Sequence, residues 1–562
     1  MKKLLAVLIA IAATVPLSAQ TKTRYLISMR RPPAVAGLRM LRDPAEFASH
    51  AVRTFVNVDF IAADLTEAEV AVLQKSPEVS YLSPVVPRSI DGEAARPFES
   101  SVKRTPSGDA ATRPQRVPYG IDLVHARDVW KYTRGKGVVN VVVVDTGIDY
   151  THPELKDRYA GGYNVFTKTN DPKDDHGHGT HVSGIIGAED NDIGVVGVAP
   201  EVRIWAVKVL QSNGSGTDET VMAGMDWVMS KKREIGGNWV VNLSLGAAQS
   251  SAAERATFAR AIDSDILVCA AAGNRGARSI DFPGAYDQVV AVSAVDSNSE
   301  LADFSSWGPG VVFAGPGVDV LSSVPVGTAQ LVEIDAGDQT LRAWALAGSQ
   351  NGEVHASTIF CGLGKPEEIP ADIQGKIAII RRGDIPFHDK AQAAIKAGAL
   401  GVIIVPNDSR TDMQIWTLLP TICDALKCEI RDEDKKYPWG VVLATTKKDG
   451  DDLIARAGTQ ELTVSNLPDD YEILSGTSMA TPHVVGVAAL AWSLAPNASA
   501  ADIRLALKLS AFDLGDHGYD FKFGYGRIDA LAAAKYVAPG LFGLPPTPAP
   551  VPTRRRPSSP HH

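Results

Sequence analysis

The strongest constraint on this chain is an alternation. Apolar strand-like runs at 138–144, 203–209, 239–243 and 266–272 are interleaved with helical patterns at 182–187 and 219–231. Runs that are apolar throughout must be covered on both faces, which is the condition of a parallel sheet flanked by helices. The expected fold class is α/β. The alternation stops near Val324, a different texture persists to about Pro468, and a helical signal resumes at Ser478. Residues 326–468 therefore read as a domain inserted into a sheet domain that occupies 115–325 and 469–540.

Ahead of the sheet domain, strand-like stretches at 24–29, 56–61 and 79–82 and a helical stretch at 67–75 predict a small αβ sandwich, assigned to 20–91. Residues 92–114 mix Pro, Ser, Gly, Arg and Glu without period, as an exposed linker does. A Pro-rich tail closes the chain at 541–562. At the other end, Lys2 and Lys3 precede an apolar run at 4–15 and the small residues Ser18 and Ala19, the pattern of an export signal over 1–19. That run falls short of the roughly 20 residues needed to cross a bilayer. The expectation is secretion, extracellular or periplasmic, with no membrane span.

The formal net charge is −9 and no sustained basic stripe appears, the run at 554–556 lying in the tail, so nucleic acid is excluded as an expected partner. Four cysteines leave the core to carry stability. Cys269 lies inside an apolar stretch and reads as a small buried hydrophobe, while Cys361, Cys423 and Cys428 allow at most one bridge, whose pairing stays open.

Three local patterns carry chemistry. Asp145-Thr146-Gly147 ends an apolar strand, where ligand sites of such sheets gather. His178-Gly179-Thr180-His181 opens a helix of small residues, and Gly476-Thr477-Ser478-Met479-Ala480 starts another. A serine hydroxyl is a weak nucleophile until a histidine takes its proton, and a buried carboxylate must orient that histidine. Each motif alone is weak, since a turn, a cap or a helix start explains it. His176, His178 and His181 lack the His-Glu-x-x-His spacing of zinc proteases, so no catalytic metal or other catalytic cofactor is expected.

Taken with Val117-Pro118-Tyr119-Gly120, Ala206-Val207-Lys208-Val209-Leu210, Asn242-Leu243-Ser244-Leu245-Gly246 and Ala270-Ala271-Ala272-Gly273-Asn274, these motifs resemble the subtilases, whose chain order is also Asp, His, Ser. The resemblance implies a subtilisin-like serine endopeptidase acting through an acyl-enzyme, with Asp145, His178 and Ser478 as its triad and Asn274 as oxyanion donor beside the Ser478 backbone N–H. Polypeptide substrates would add as a strand between the edges Gly214-Ser215-Gly216 and Ser244-Leu245-Gly246. Ala271, Gly273 and the loop at 275–282 would line the pocket for the residue whose carbonyl is attacked. Where the family has a small residue at the pocket base, this chain has Asp281. Either the carboxylate favours a basic side chain, or Arg275 or Arg278 folds over and neutralises it.

The resemblance also implies a structural calcium held by side chains of Gln115, Asn191 and Glu154 and by carbonyls of Glu189, Ile193 and Val195. Glutamate at 154 replaces the family's aspartate, and an ordinary acidic turn is the alternative. The unit at 20–91 resembles an inhibitor-type propeptide, an intramolecular inhibitor released by cleavage within the linker that follows Asp91, with an independent binding module as the alternative. The insertion, through Gly375-Lys376-Ile377 and Ala397-Gly398-Ala399-Leu400-Gly401, resembles a mainly-β protease-associated domain. A monomer is expected. A silent binding protein and an ester hydrolase are the competing functions.

Overall fold

The computed structural model describes residues 21–29, 51–77, 79–90, 114–137, 139–337, 339–408, 418, 421–423, 428–430 and 438–545. The expected export signal, most of the linker in which cleavage is expected, and nearly all of the tail lie outside these residues. The chain forms two compact units, and among the described residues the second is Val326–Glu472.

In the first unit, seven strands form one sheet in which every neighbouring pair runs parallel: β6 (Val139–Asp145), β7 (Tyr159–Asn164), β8 (Arg203–Lys208), β10 (Asn238–Leu243), β11 (Ile266–Ala271), β12 (Val290–Val295) and β13 (Val311–Pro316). Their order is β13-β12-β11-β10-β6-β8-β7. Side chains of a strand alternate between faces, and β6 shows it. Val139, Val141 and Val143 join one core, while Val142 and Val144 join another on the opposite face. The first core takes α2 (His178–Gly187) through Val182 and Ile186, and α5 (Thr477–Leu494) through Val484 and Val487. The second takes α3 (Asp218–Ile235) through Val221 and Met225, and α4 (Ala252–Asp263) through Phe258 and Ala261. The doubly covered parallel sheet is thus present.

The N-terminal αβ part consists of β1 (Thr23–Met29), β2 (Ala51–Thr54), β3 (Ile61–Leu65), α1 (Glu67–Lys75) and β4 (Val79–Pro84), in sheet order β2-β3-β1-β4. The strand expected at 56–61 is instead a turn between β2 and β3. Its backbone N–H groups at Val56 and Asn57 bond to the carboxylate of Asp226 on α3, at 2.9 and 2.6 Å, and are lost to a ladder. Leu26, Phe55 and Ala62 enter the same core as α3, so this part packs on the sheet domain as one body.

The second unit is a closed barrel of seven strands in the order Ala329–Asp335, Thr340–Ala345, Val441–Thr445, Gly401–Val405, Ile377–Arg381, Gly352–Phe360 and Glu461–Asp469. Its core is aliphatic, with Ile377, Ile379, Ile403 and Leu443 fully buried. Cys361 is a buried free thiol, so the bridge to it that the sequence left open is not formed. Cys423 and Cys428 sit opposite each other on two short paired strands, and their side chains lie outside the described residues. Cys269 is buried and free in the sheet domain, where burial pushes its thiol up to about 12.

Candidate active site

Each motif residue sits at the carboxyl end of the sheet because its element delivers it there. Asp145 is the last residue of β6, His178 the first of α2, and Ser478 lies in the first turn of α5. His178 Nδ1 is 2.8 Å from Asp145 Oδ1, with the carboxylate fully buried. The same oxygen accepts the Thr146 N–H at 2.7 Å, and Thr146 Oγ1 accepts the Gly179 N–H at 2.9 Å. Helix and turn approach so closely that a Cβ on Gly179 would fall 2.2 Å from the Gly147 carbonyl oxygen. This contact explains the glycine at 179, while at Gly147, where φ is +122°, a Cβ would fall 2.4 Å from the Pro172 carbonyl oxygen.

Two groups that sequence reasoning passed over hold these ends in place. Asp174 accepts the N–H groups of His176, Gly177 and Thr180 and the Thr180 hydroxyl, at 2.6–3.0 Å, and so caps the start of α2. Burial alone would raise its carboxyl, but the Thr180 hydroxyl and the three backbone donors outweigh that and hold it below the usual range. Lys208, buried, donates to the Thr146 and Leu210 carbonyls at 2.7 and 2.8 Å and to Asp175 at 2.7 Å, bracing the end of β6. A cap set four residues before its helix was the one signal available for Asp174.

Around Ser478, Asn274 turns its Oδ1 toward Thr477, accepting from that residue's N–H and hydroxyl at 2.9 Å each. Its Nδ2 is thereby left to donate. A Cβ built on Gly476 would meet Asn274 Nδ2 at 3.4 Å and Ser478 N at 3.6 Å, so the two donors face one small space that a glycine keeps open. Ser244 ties the other side, donating its hydroxyl to the Ser478 carbonyl at 2.7 Å. Ser478 Oγ lies 3.3 Å from the Ser244 carbonyl oxygen and 3.5 Å from that of Ile90.

Ile90 belongs to a segment that fills the cleft. Strand β5 (Pro87–Ser89) pairs antiparallel with β9 (Ser215–Thr217), setting Arg88 opposite Gly216. On its other side Ser89 exchanges both backbone hydrogen bonds with Gly246, at 3.1 and 2.8 Å, and the Ile90 N–H donates to the Gly214 carbonyl at 3.3 Å. Both glycine-rich edges thus hold one extended peptide.

Ala271 ends β11, and Gly273 and Asp281 lie against each other, with a Cβ on Gly273 meeting Asp281 Oδ2 at 2.5 Å. Of the two outcomes open for Asp281, the geometry has the neutralised one. Arg275 bonds its guanidinium to the buried carboxylate. A pocket base whose charge is already paired does not call for a basic side chain, so the basic bias is not supported.

At the loop 189–195 the three expected side-chain oxygens are engaged by backbone N–H groups of the loop. Gln115 Oε1 accepts the Asn191 N–H at 2.9 Å, Asn191 Oδ1 accepts the Ile193 N–H at 3.2 Å, and the buried Glu154 accepts the Val195 N–H at 3.1 Å while its carbonyl accepts that of Glu189. Arg134 and Arg158 pair with Asp190 and Glu189 at the loop's rim. Amide and carbonyl oxygens with one buried carboxylate form a donor set that fits a hard cation.

Comparison with known proteins gives one consistent result. The Subtilase family profile matches residues 135–339 and 447–526, and the PA domain profile matches 328–453 between them. Subtilisin E of Bacillus subtilis (strain 168) is 33% identical over 313 residues, 55% of this chain and 75% of that protein. Subtilisin DY of Bacillus licheniformis is 42% identical over 218 residues, covering 38% and 77%. Among solved structures, a psychrophilic subtilisin-like protease from Pseudoalteromonas sp. AS-11 is 32% identical, with a TM-score of 0.54 over 75% of this chain and 98% of that one.

Proposed function

From the premise that this chain belongs to the subtilase family and is a subtilisin-like serine endopeptidase, we propose that it is exported as a self-inhibited precursor and hydrolyses polypeptides through an acyl-enzyme on Ser478. The observation that carries this reading is the segment 86–90, bonded on both backbone edges like a substrate strand, with the Ile90 carbonyl beside Ser478 Oγ.

In the proposed mechanism His178 takes the Ser478 Oγ proton as the oxygen bonds to the substrate carbonyl carbon. Asp145 fixes the imidazole tautomer and stabilises the imidazolium. The negative oxygen of the tetrahedral intermediate is held by the Ser478 N–H and by Asn274 Nδ2, the latter already fixed through the bonds of Asn274 Oδ1 to Thr477. His178 then returns the proton to the departing amine, the C–N bond breaks, and water repeats the cycle on the ester. With Asp281 compensated by Arg275, selectivity in that pocket is read as broad. Residues 20–91 act as the inhibitor and the export signal covers 1–19, which the sequence pattern supports. Gln115, Glu154, Asn191 and the carbonyls of Glu189, Ile193 and Val195 would hold a structural calcium. Excess chelator should then lower the melting temperature, and an unchanged one would remove the site.

The test is labelling by an active-site serine phosphonate together with cleavage of a denatured protein. The wild-type chain should be labelled, cut the substrate and shorten itself, whereas Ser478→Ala should do none of these. Shortening of Ser478→Ala at the wild-type rate would overturn self-processing. Absence of both labelling and cleavage in the wild type would favour a silent binding protein, and labelling with ester but no protein hydrolysis an esterase.

A further inference from the structure

We infer that the cleft holds a second selectivity pocket, built on Glu254 and Asp218, that takes an arginine of the polypeptide substrate three residues ahead of the one whose carbonyl is attacked. The inference rests on the endopeptidase reading and adds a substrate class to it.

Arg88 occupies this pocket in the structure. Its side chain and that of Glu254 are both 0% exposed, and they meet as a fork on a fork, Nε to Oε1 at 3.0 Å and Nη2 to Oε2 at 2.6 Å. Nη1 donates to the Pro87 carbonyl at 2.8 Å. Glu254 is pre-set for this partner by its own surroundings. It stands in the first turn of α4, capped by Ser251, and Oε2 lies 2.8 Å from the Tyr286 hydroxyl, which in turn accepts the Ser251 N–H at 2.8 Å. Asp218 closes the other side, accepting the Val86 N–H at 2.9 Å and the Glu219 N–H at 2.8 Å. Burial pushes its carboxyl up, and its charge adds to that of Glu254 in favouring the cation.

Among the described residues Arg88 is the one cation bonded to Glu254, whose other side-chain partner is a neutral phenol. Unlike Asp281, Glu254 therefore loses its counter-charge when the segment leaves. A buried carboxylate without a partner is costly, and a planar guanidinium meets both of its oxygens where an ammonium meets one. The incoming strand restores the pair only if it brings arginine to the same place.

The register follows from the backbone. Arg88 faces Gly216, Ser89 faces Gly246, and Ile90 bonds to Gly214. The Ile90 side chain rests at Gly214, where an added Cβ would meet its Cδ1 at 2.9 Å and His176 Nε2 at 3.3 Å, and not at Gly273 and Asp281. Since strand side chains alternate, the next residue of a bound chain is the one that enters the Gly273–Asp281 pocket. Arginine at the Arg88 position stands three residues before it.

The experiment uses processed wild-type enzyme, its active sites counted with the serine phosphonate, and quenched peptides that differ only at this position. Arginine should exceed alanine in kcat/KM by at least about 30-fold, the low end of what truncating a buried hydrogen-bonded charge partner costs, with lysine between them and glutamate lowest. Glu254→Gln should collapse the arginine-to-alanine ratio toward one. Equal cleavage of the arginine and alanine peptides by active wild-type enzyme overturns the inference while leaving the endopeptidase reading intact, and so does a ratio that survives Glu254→Gln. No hydrolysis of any peptide and no phosphonate uptake overturns both. The wild-type series decides the matter even if the variant does not fold.

Discussion

Asp281 and Glu254 are both buried carboxylates beside the cleft, and each is met by an arginine, yet the two arginines have different origins. Arg275 comes from the same loop as Asp281 and stays with it. Arg88 comes from the segment that fills the cleft, 166 positions away in sequence from Glu254. The first pair makes a pocket electrically neutral for good, and the second makes one whose neutrality depends on its occupant. The catalytic end of the cleft follows the first pattern throughout. Asp145 with His178, Asn274 with Thr477, and Asp174 with the start of α2 all draw their partners from the sheet domain itself. Chemistry rests on permanent contacts here, and choice of substrate on exchangeable ones.

That division can be broken or sharpened by substitution. Asn274→Ala removes a permanent donor and should lower kcat about 10²–10³-fold, the effect of losing such a donor in subtilisin itself. The loss should be the same for arginine and alanine peptides, and a loss that differs between them would show that the two ends are not independent. Asp174→Asn, studied by denaturant unfolding in a Ser478→Ala background, should cost about 2 kcal/mol at pH 7, as expected for hydrogen bonds to a charged group. The folded-state carboxyl is held low, so its contribution is full above the unfolded carboxylate range near pH 4 and is lost as pH falls through the folded value. The gap between the two proteins should accordingly narrow on acidification, and a gap that widens would refute the assignment. Arg275→Ala should convert the neutral pocket into an anionic one, raising kcat/KM for lysine over leucine in that pocket about tenfold, equivalent to about 1.4 kcal/mol. An unchanged ratio would mean that Asp281 does not face the substrate.

The sheet and the motif residues were legible because the signal is local: the unbroken run Val141-Val142-Val143-Val144 declares a buried strand, and Gly-Thr-Ser-Met-Ala declares the start of a small-residue helix. The alternatives at Asp281 were legible for the same reason, since Arg275 is only six residues away, but a sequence does not say which way a guanidinium folds. Arg88 and Glu254 were not legible at all. Their meeting depends on the register of β5 against β9, a property of long-range pairing that neither segment carries alone. The turn at 55–60 was misread as strand because Val56, Val58, Phe60 and Ile61 are apolar, whereas its backbone donors are claimed by Asp226 on a distant helix.

The insertion at Val326–Glu472 falls between His178 and Ser478, which stand 300 positions apart in the chain. At the roughly 5–20 residues per second of synthesis, Ser478 emerges on the order of 15–60 s after His178. For that interval the growing chain holds Asp145, His178 and the segment that fills the cleft but not Ser478, so under the proposed mechanism the calendar of translation itself keeps the newborn chain from cutting its neighbours.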